Sequence, residues 1–293
     1  MSEAQAGILE PIPAVGRYLA FGLQTPQALP DALRALQQRA DGRQLVFGLG
    51  ASLVHALGRE LPGLRTYAAS APAGLDLPAT PHALWCWLRG TQRGDLLQLS
   101  RELELSLLPA FRLQHVADAF KHHGGLDLSG YEDGTENPTG DAALDAALAS
   151  GQGAGLDGAS FVAVQQWLHD FPAFDAMSPP EQDNAIGRRR SDNEELEDAP
   201  ESSHVKRTAQ ESFDPEAFLL RRSMPWAEGQ RCGLMFVAFG RSFDAFEAQW
   251  RRMTGVEDGV LDALFRFTRP LGGAYYWCPP MLDGRADLRA LGL

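Results

Sequence analysis

Two stretches of this chain, ALWCWLRGTQRGDLLQLSREL (83–103) and GLMFVAFGRSFDAFEAQWRRM (233–253), share one layout. Each is an apolar run, then a glycine turn carrying an arginine, then an amphipathic pattern. Ala83–Arg89 is rich in aromatic residues and reads as a buried strand, followed by a helix over Asp95–Leu107. Gly233–Gly240 reads as the matching strand, and Ser242–Met253 as a helix with Phe243, Phe246 and Trp250 on one face. A strand–turn–helix piece cannot bury its own apolar face, so a chain with two of them is constrained to pack duplicated units together.

The flanking sequence extends this grammar. Arg17–Leu23, Gln44–Ala51 and Ala110–Phe120 read as strands, and Ala28–Ala40 as a helix with Leu29, Leu33 and Leu36 at helical spacing. In the second half Phe161–Trp167 reads as a strand and Ser178–Arg188 as a helix opened by two prolines. His204–Thr208 and Phe218–Ser223 read as short strands. The expected fold is α+β, with duplicated ferredoxin-like domains over 1–145 and 146–293. The alternative is chance similarity between two strand–turn–helix pieces. At 293 residues the chain is long enough to bury a full core in either arrangement.

Charge narrows the partners. With 26 Lys and Arg against 38 Asp and Glu, the net charge is −12, which argues against nucleic acid and against anionic lipid. Cys86, Cys232 and Cys278 are odd in number and far apart, and are read as buried small hydrophobes rather than disulfides or metal ligands. No run approaches the roughly 18 apolar residues of a membrane span, and MSEAQAGILEPIPAV has no basic, leader-like start. The expected location is the cytoplasm.

Two polar segments, His122–Asp141 and Arg188–Ser203, interrupt the pattern and read as loops. The first holds Gly130-Tyr131-Glu132-Asp133-Gly134-Thr135-Glu136-Asn137-Pro138, where glycines permit tight turns and close approach to a ligand. Asp133 either faces a cavity or stabilises a surface turn. Among His55, His82, His115, His122, His123, His169 and His204, no pair has zinc-site spacing. His204 stands out because it follows the charged loop and opens HVKRT, a position from which a neutral imidazole can meet a metal. In Leu219-Leu220-Arg221-Arg222-Ser223, strand alternation puts the two arginines on opposite faces, so one of them is expected to point inward. An ordinary ion pair is the alternative.

Read together, these segments resemble the dye-decolorising peroxidase family. GYEDGTENP resembles its G-x-x-D-G-T-E-N-P signature, SHVKRT its proximal-histidine segment and LLRRSMPW its distal-arginine segment. IGRRRSDNEEL, LWCWLRGTQRGDLL and LFRFTRPLGGAYYW also match family segments in order, so the resemblance spans nearly the whole chain. The compact length resembles the B-type branch. The resemblance implies non-covalent haem b in the C-terminal half, in a fold of the dimeric α+β barrel type. It implies His204 as the iron ligand and Asp133 and Arg221 as the catalytic pair. Arg188, with its two arginine neighbours as rivals, is implied as a haem-propionate partner. Ser223 stands where some relatives have asparagine, so the hydrogen-bond network there differs.

The implied function is reduction of hydrogen peroxide through a ferryl intermediate while dyes, phenols or other donors are oxidised. Trp167, Trp226, Trp277, Tyr275 and Tyr276 are candidate stations for electrons, against the plainer reading that they are core packing. A homo-oligomer is implied, and packaging in a shell protein is left open. The alternatives are a haem-handling protein that releases iron, and a structural protein without haem.

Overall fold

The computed structural model describes residues 3–68 and 75–293. Its first half runs α1 (Ala6–Leu9), β1 (Val15–Leu23), α2 (Leu29–Arg39), β2 (Leu45–Leu49), α3 (Ala51–Ala56), β3 (Leu84–Gly90), α4 (Arg93–Leu107) and β4 (Phe111–Phe120). The strands pair antiparallel in the order β2-β3-β1-β4. The second half runs α5 (Gly140–Ala147), β5 (Ser160–His169), α6 (Phe171–Asp175), α7 (Pro179–Ile186), α8 (His204–Arg207), β6 (Leu220–Arg221), β7 (Met224–Glu228), β8 (Arg231–Gly240), α9 (Asp244–Met253) and β9 (Thr268–Cys278). Here the order is β9-β5-β8-β7, with the short β6 also paired to β8. A small hairpin of β10 (Met281–Leu282) and β11 (Arg285–Ala286) follows. The repeated stretches become β3–α4 and β8–α9, at corresponding places in the two halves.

β2 pairs with β9 and β4 with β7, so the strands close into one eight-stranded α+β barrel. Strand alternation sorts the side chains. Leu84, Cys86 and Leu88 of β3 pack outward with Leu33 and Leu36 of α2 and Leu103 of α4. Trp85 and Trp87 point into the barrel, where they meet Tyr18, Phe239 and Tyr276. This is why the segment reads as apolar on both faces. No helix among the described residues is long and apolar enough to cross a membrane.

Three local expectations are corrected. His204–Thr208 is a helical turn, α8, not a strand. Its β-branched residues are overruled by tertiary anchors: Arg207 is held by Asp258 at 2.7 Å and by the Arg252 carbonyl at 2.6 Å, and Thr208 Oγ1 donates to the His204 carbonyl. The helix expected to reach Arg188 ends at Ile186, because Gly187 turns left-handed at φ 96°. Its start is as expected: Ser178 and Glu181 form a reciprocal capping box. Among the cysteines, Cys86 and Cys278 are buried, but Cys232 is half-buried; all three are free thiols.

Candidate active site

The loop between β4 and α5 is shaped by its glycines. Gly134 adopts φ 78°, and a Cβ there would lie 2.7 Å from Asn137 Nδ2, so no larger residue fits without displacing that amide. The Asn137 amide performs a strand's hydrogen bonding. Its Oδ1 accepts from the Arg221 backbone N–H at 2.7 Å, and its Nδ2 donates to the Arg221 carbonyl at 3.1 Å. β6 is paired to β8 on its other edge, through Arg221 opposite Ala238. A side chain thus takes the place of a missing neighbour strand and clips the Asp133 loop onto the strand that carries Arg221.

Asp133, Arg221 and His204 line one cavity. Much of its wall is apolar: Leu234 and Phe236 from β8, Phe246, Trp250 and Met253 from α9, and Leu264 and Phe267 before β9. Arg221 Nε is buried with no hydrogen-bond partner among the described residues. Burial pushes the Asp133 carboxyl above the usual carboxylate range; nearby Arg221 pulls it back, and Asp127 pushes it up again.

Of the two arginines, both half-buried, Arg221 lines the cavity, as expected of one of the pair. Arg222 lies across the strand from Arg221. It donates to the Ile8 carbonyl at 3.0 Å and the Leu9 carbonyl at 2.6 Å, and burial lowers its pKa to about 10. It fastens the N-terminal segment, whereas Arg221 faces the cavity.

His204 sits where α8 begins, after the extended, fully buried Ser203. Its Nδ1 is 2.8 Å from Oδ2 of Asp262, whose side chain is 0% exposed. The other Asp262 oxygen accepts from the Leu264 N–H at 2.9 Å. With a carboxylate on Nδ1, that nitrogen carries the proton and Nε2 is left with a lone pair. His169 lines the same cavity, but both its ring nitrogens are engaged: Nε2 with Asp127 at 3.0 Å and Nδ1 with Thr268 Oγ1 at 2.8 Å. His204 is therefore the cavity histidine with a nitrogen to offer.

The other candidates are placed elsewhere. Arg188 is absent from the cavity lining and is bound by Glu136 at 2.6 Å, Glu195 at 3.3 Å and the Asn193 carbonyl at 2.9 Å. Ser223 is buried, accepts from the Val237 N–H at 3.4 Å and lines a neighbouring cavity that also touches Asp133 and Arg221. Of the five aromatic stations, Trp167 lines the main cavity; Trp250, whose ring centroid is 5.9 Å from it, was not singled out by the sequence. Asp262 and Asn137 were also missed. Asp262 stands 58 positions from His204 with no local pattern to connect them, while Asn137 lies inside the GYEDGTENP string and was passed over for its neighbours.

The raised pKa of Asp133 makes a prediction for the haem-free protein. Between the unfolded value, about 3.9, and the higher folded value, the native state holds a proton that the unfolded chain has released. Stability is therefore fully present below pH 4 and falls as pH rises through the folded pKa. Asp133→Asn removes this dependence. Its melting temperature should gain on the wild type as pH is raised above about 4. Parallel melting curves across that range would show the wrong sign or no effect if Asp133 were an ordinary solvated carboxylate.

The cavity beside the α+β barrel holds two carboxylate-bound histidines, His204 and His169, together with Asp133 and Arg221, and is the candidate active site. Comparison with known proteins specifies the class. Residues 125–283 match the family model "Dyp-type peroxidase, C-terminal", and the chain belongs to the Dyp-type, or dye-decolorising, peroxidase family. It is 30% identical over 223 residues to a dye-decolorizing peroxidase of Mycolicibacterium paratuberculosis, covering 73% of this chain and 63% of that one. It is 29% identical over 208 residues to the Mycobacterium tuberculosis protein of the same name, covering 69% of this chain and 62% of that one. The chain thus spans less than two thirds of the length of these relatives. Among solved structures, DyPB from Rhodococcus jostii RHA1 superimposes with TM-score 0.82 at 27% identity, covering 93% of this chain and 94% of that one. A variant of that protein was solved in complex with heme, at TM-score 0.82 and 26% identity, with the same coverage. A dye-decolorizing protein from V. cholerae, 23% identical, shares the fold at TM-score 0.84 over 98% of both chains.

Proposed function

We propose that the chain is a B-type haem peroxidase that reduces hydrogen peroxide and oxidises small electron donors such as dyes or phenols. The observation that carries this reading is the meeting of His204, Asp133 and Arg221 in one largely apolar cavity from three separate segments. The residues fit haem b on physical grounds. His204 offers a single nitrogen, so a metal held there must bring its other ligands with it, as a porphyrin does. Asp262 on Nδ1 is the partner that makes such a histidine a stronger ligand. The apolar wall suits a flat macrocycle. Arg190 and Arg189 remain rivals of Arg188 for the propionates, and Arg188 has to leave Glu136 or Glu195 to reach one.

When bound, haem supplies an iron that can take peroxide oxygen and pass electrons to it. The protein's part is charge and proton handling. Asp133 removes a proton from the incoming peroxide and returns it to the departing oxygen, so that water leaves. Burial raises its pKa from the ordinary carboxylate value, the direction that favours holding and returning the proton. Arg221 stays charged at any working pH and stabilises negative charge on the departing oxygen; with no carboxylate paired to it within the cavity wall, its field is not cancelled. Asn137 fixes where that charge sits by holding both backbone groups of Arg221. An iron-releasing haem carrier would use His204 but has no need of the Asp133–Arg221 pair.

We read the two halves as ferredoxin-like units meeting near residue 145. The proposal includes a homo-oligomer and a cytoplasmic location, the latter supported by three free thiols, which fit a reducing compartment. Spectroscopy of the purified protein tests the reading. A Soret band should appear on reconstitution with one equivalent of haem and change on addition of one equivalent of peroxide, then return when a phenolic donor is supplied. A haem-loaded protein that ignores peroxide would leave the haem-carrier reading standing.

A further inference from the structure

A second cavity lies behind the wall of the first, inside the barrel. Alternation along β5 turns Gln165, Trp167 and His169 toward the catalytic cavity, and Val164 and Gln166 toward the barrel interior. β8 is divided likewise, with Leu234 and Phe236 on one side and Met235 on the other. The inner cavity measures about 280 Å³. It exists because Ala20, Gly272 and Ala274 bring little or no side chain to positions that a barrel of this size normally fills. At its mouth Thr80, Gln114 and His115 are exposed, so it opens to solvent.

Its walls carry unmet hydrogen-bonding capacity. Tyr18 is 1% and Trp85 2% exposed, yet the Tyr18 hydroxyl and the Trp85 indole N–H have no partner among the described residues. A buried donor left unmatched is disfavoured, and these two belong to residues that line the same cavity. The surroundings define an acceptor for them. The Trp85 ring lies between Tyr18, at 6.1 Å and 21° between planes, and Tyr276, at 5.9 Å and 18°, which gives a wall of near-parallel aromatic faces. No Asp, Glu, Lys or Arg lines the cavity among the described residues. Burial pushes the His82 and His115 imidazoles down, so both are neutral at neutral pH and offer no counter-charge.

We propose that the barrel interior is a second small-molecule site, taking a neutral, flat aromatic molecule whose carbonyl oxygen accepts hydrogen bonds from Tyr18 and Trp85. The site is separate from the catalytic cavity and shares only the β5 and β8 wall with it. Calorimetric titration of the purified holoprotein with acetophenone tests this, with toluene and benzoate as the probes that lack the acceptor or add a charge. Acetophenone should bind saturably with one site and leave the Soret band unchanged. Cyanide on the iron should not alter the binding, because the site is not the catalytic one. Tyr18→Phe, which keeps the ring and deletes the donor, should weaken it roughly threefold to tenfold, as one hydrogen bond does. Ala274→Leu, which fills the interior, should weaken it more than tenfold. Toluene and benzoate should both bind less tightly than acetophenone. If Ala274→Leu does not fold, Tyr18→Phe and the three probes decide. Absence of saturable heat at millimolar acetophenone would mean that the interior holds only ordered water and would overturn the proposal. So would acetophenone binding that cyanide abolishes, or that Tyr18→Phe leaves unchanged.

Discussion

Arg221→Leu is expected to slow the reaction of the haem-loaded protein with hydrogen peroxide by two to three orders of magnitude. Fixed positive charge aimed at a developing anion in a dry site is worth about 3–4 kcal/mol. Much of the cavity wall is apolar, which keeps screening weak, and Arg221 Nε has no hydrogen-bond partner among the described residues. Asp133→Asn removes proton transfer, typically about 10²–10⁴-fold, so the ranges overlap. A water molecule can stand in for a carboxylate as proton carrier, whereas no solvent species replaces a desolvated guanidinium. Arg221→Leu should therefore cost at least as much as Asp133→Asn. Stopped-flow mixing with peroxide, followed at the Soret band, measures both. A wild-type rate for Arg221→Leu beside an inert Asp133→Asn would reverse the order.

His204→Ala should lose haem or bind it at least a hundredfold more weakly, with the far-ultraviolet circular dichroism unchanged. The fold should survive because α8 is anchored by Arg207 on Asp258, not by the imidazole. Asp262→Asn makes the finer test. It keeps shape and one acceptor oxygen but removes the charge behind Nδ1, and loss of such a partner typically costs 10–100-fold in affinity. Haem titration of the three proteins should rank wild type, Asp262→Asn and His204→Ala in falling order. Full haem content with an unaltered spectrum in His204→Ala would show that the ligand is another residue.

Periodicity and motif were legible in the sequence where the information is local. The strand–turn–helix repeat was visible because each copy must present an apolar face, and β3–α4 and β8–α9 occupy corresponding places in the halves. The glycines around Asp133 were visible because only glycine accepts a turn such as that at Gly134. The signature string and the histidine and arginine segments brought three residues from distant places to one cavity, and they are in one cavity. The misreadings arise where long-range contacts decide. HVKRT has strand-forming residues, but a salt bridge to Asp258 winds it into a turn. Arg222, just past the end of β6, donates to the Ile8 and Leu9 carbonyls, a long-range contact that no local pattern announces. Nothing near Asp262 announces that it will meet His204, since their pairing depends on where β9 and the helix before it are laid down.

The barrel is joined at two narrow places. Within each half the strands are laced by long ladders, but β2 meets β9 in register at Leu49 and Trp277, and β4 meets β7 at Ala119 and Trp226. Leu49 and Trp277 are 228 positions apart, farther than any pair within the ladders, so the β2–β9 seam carries the largest loop-closure entropy. Ala119 and Trp226, 107 positions apart, are no farther apart than Ser160 and Cys278 within the second half. The seams, being short, are the places where the barrel would part first under local opening. The catalytic cavity takes its wall from β5 and β8 of the second half together with the loop after β4, so it hangs mostly on one side of the seams. A fluctuation that parts the barrel would expose the interior aromatic stack before it disturbed His204 or Arg221.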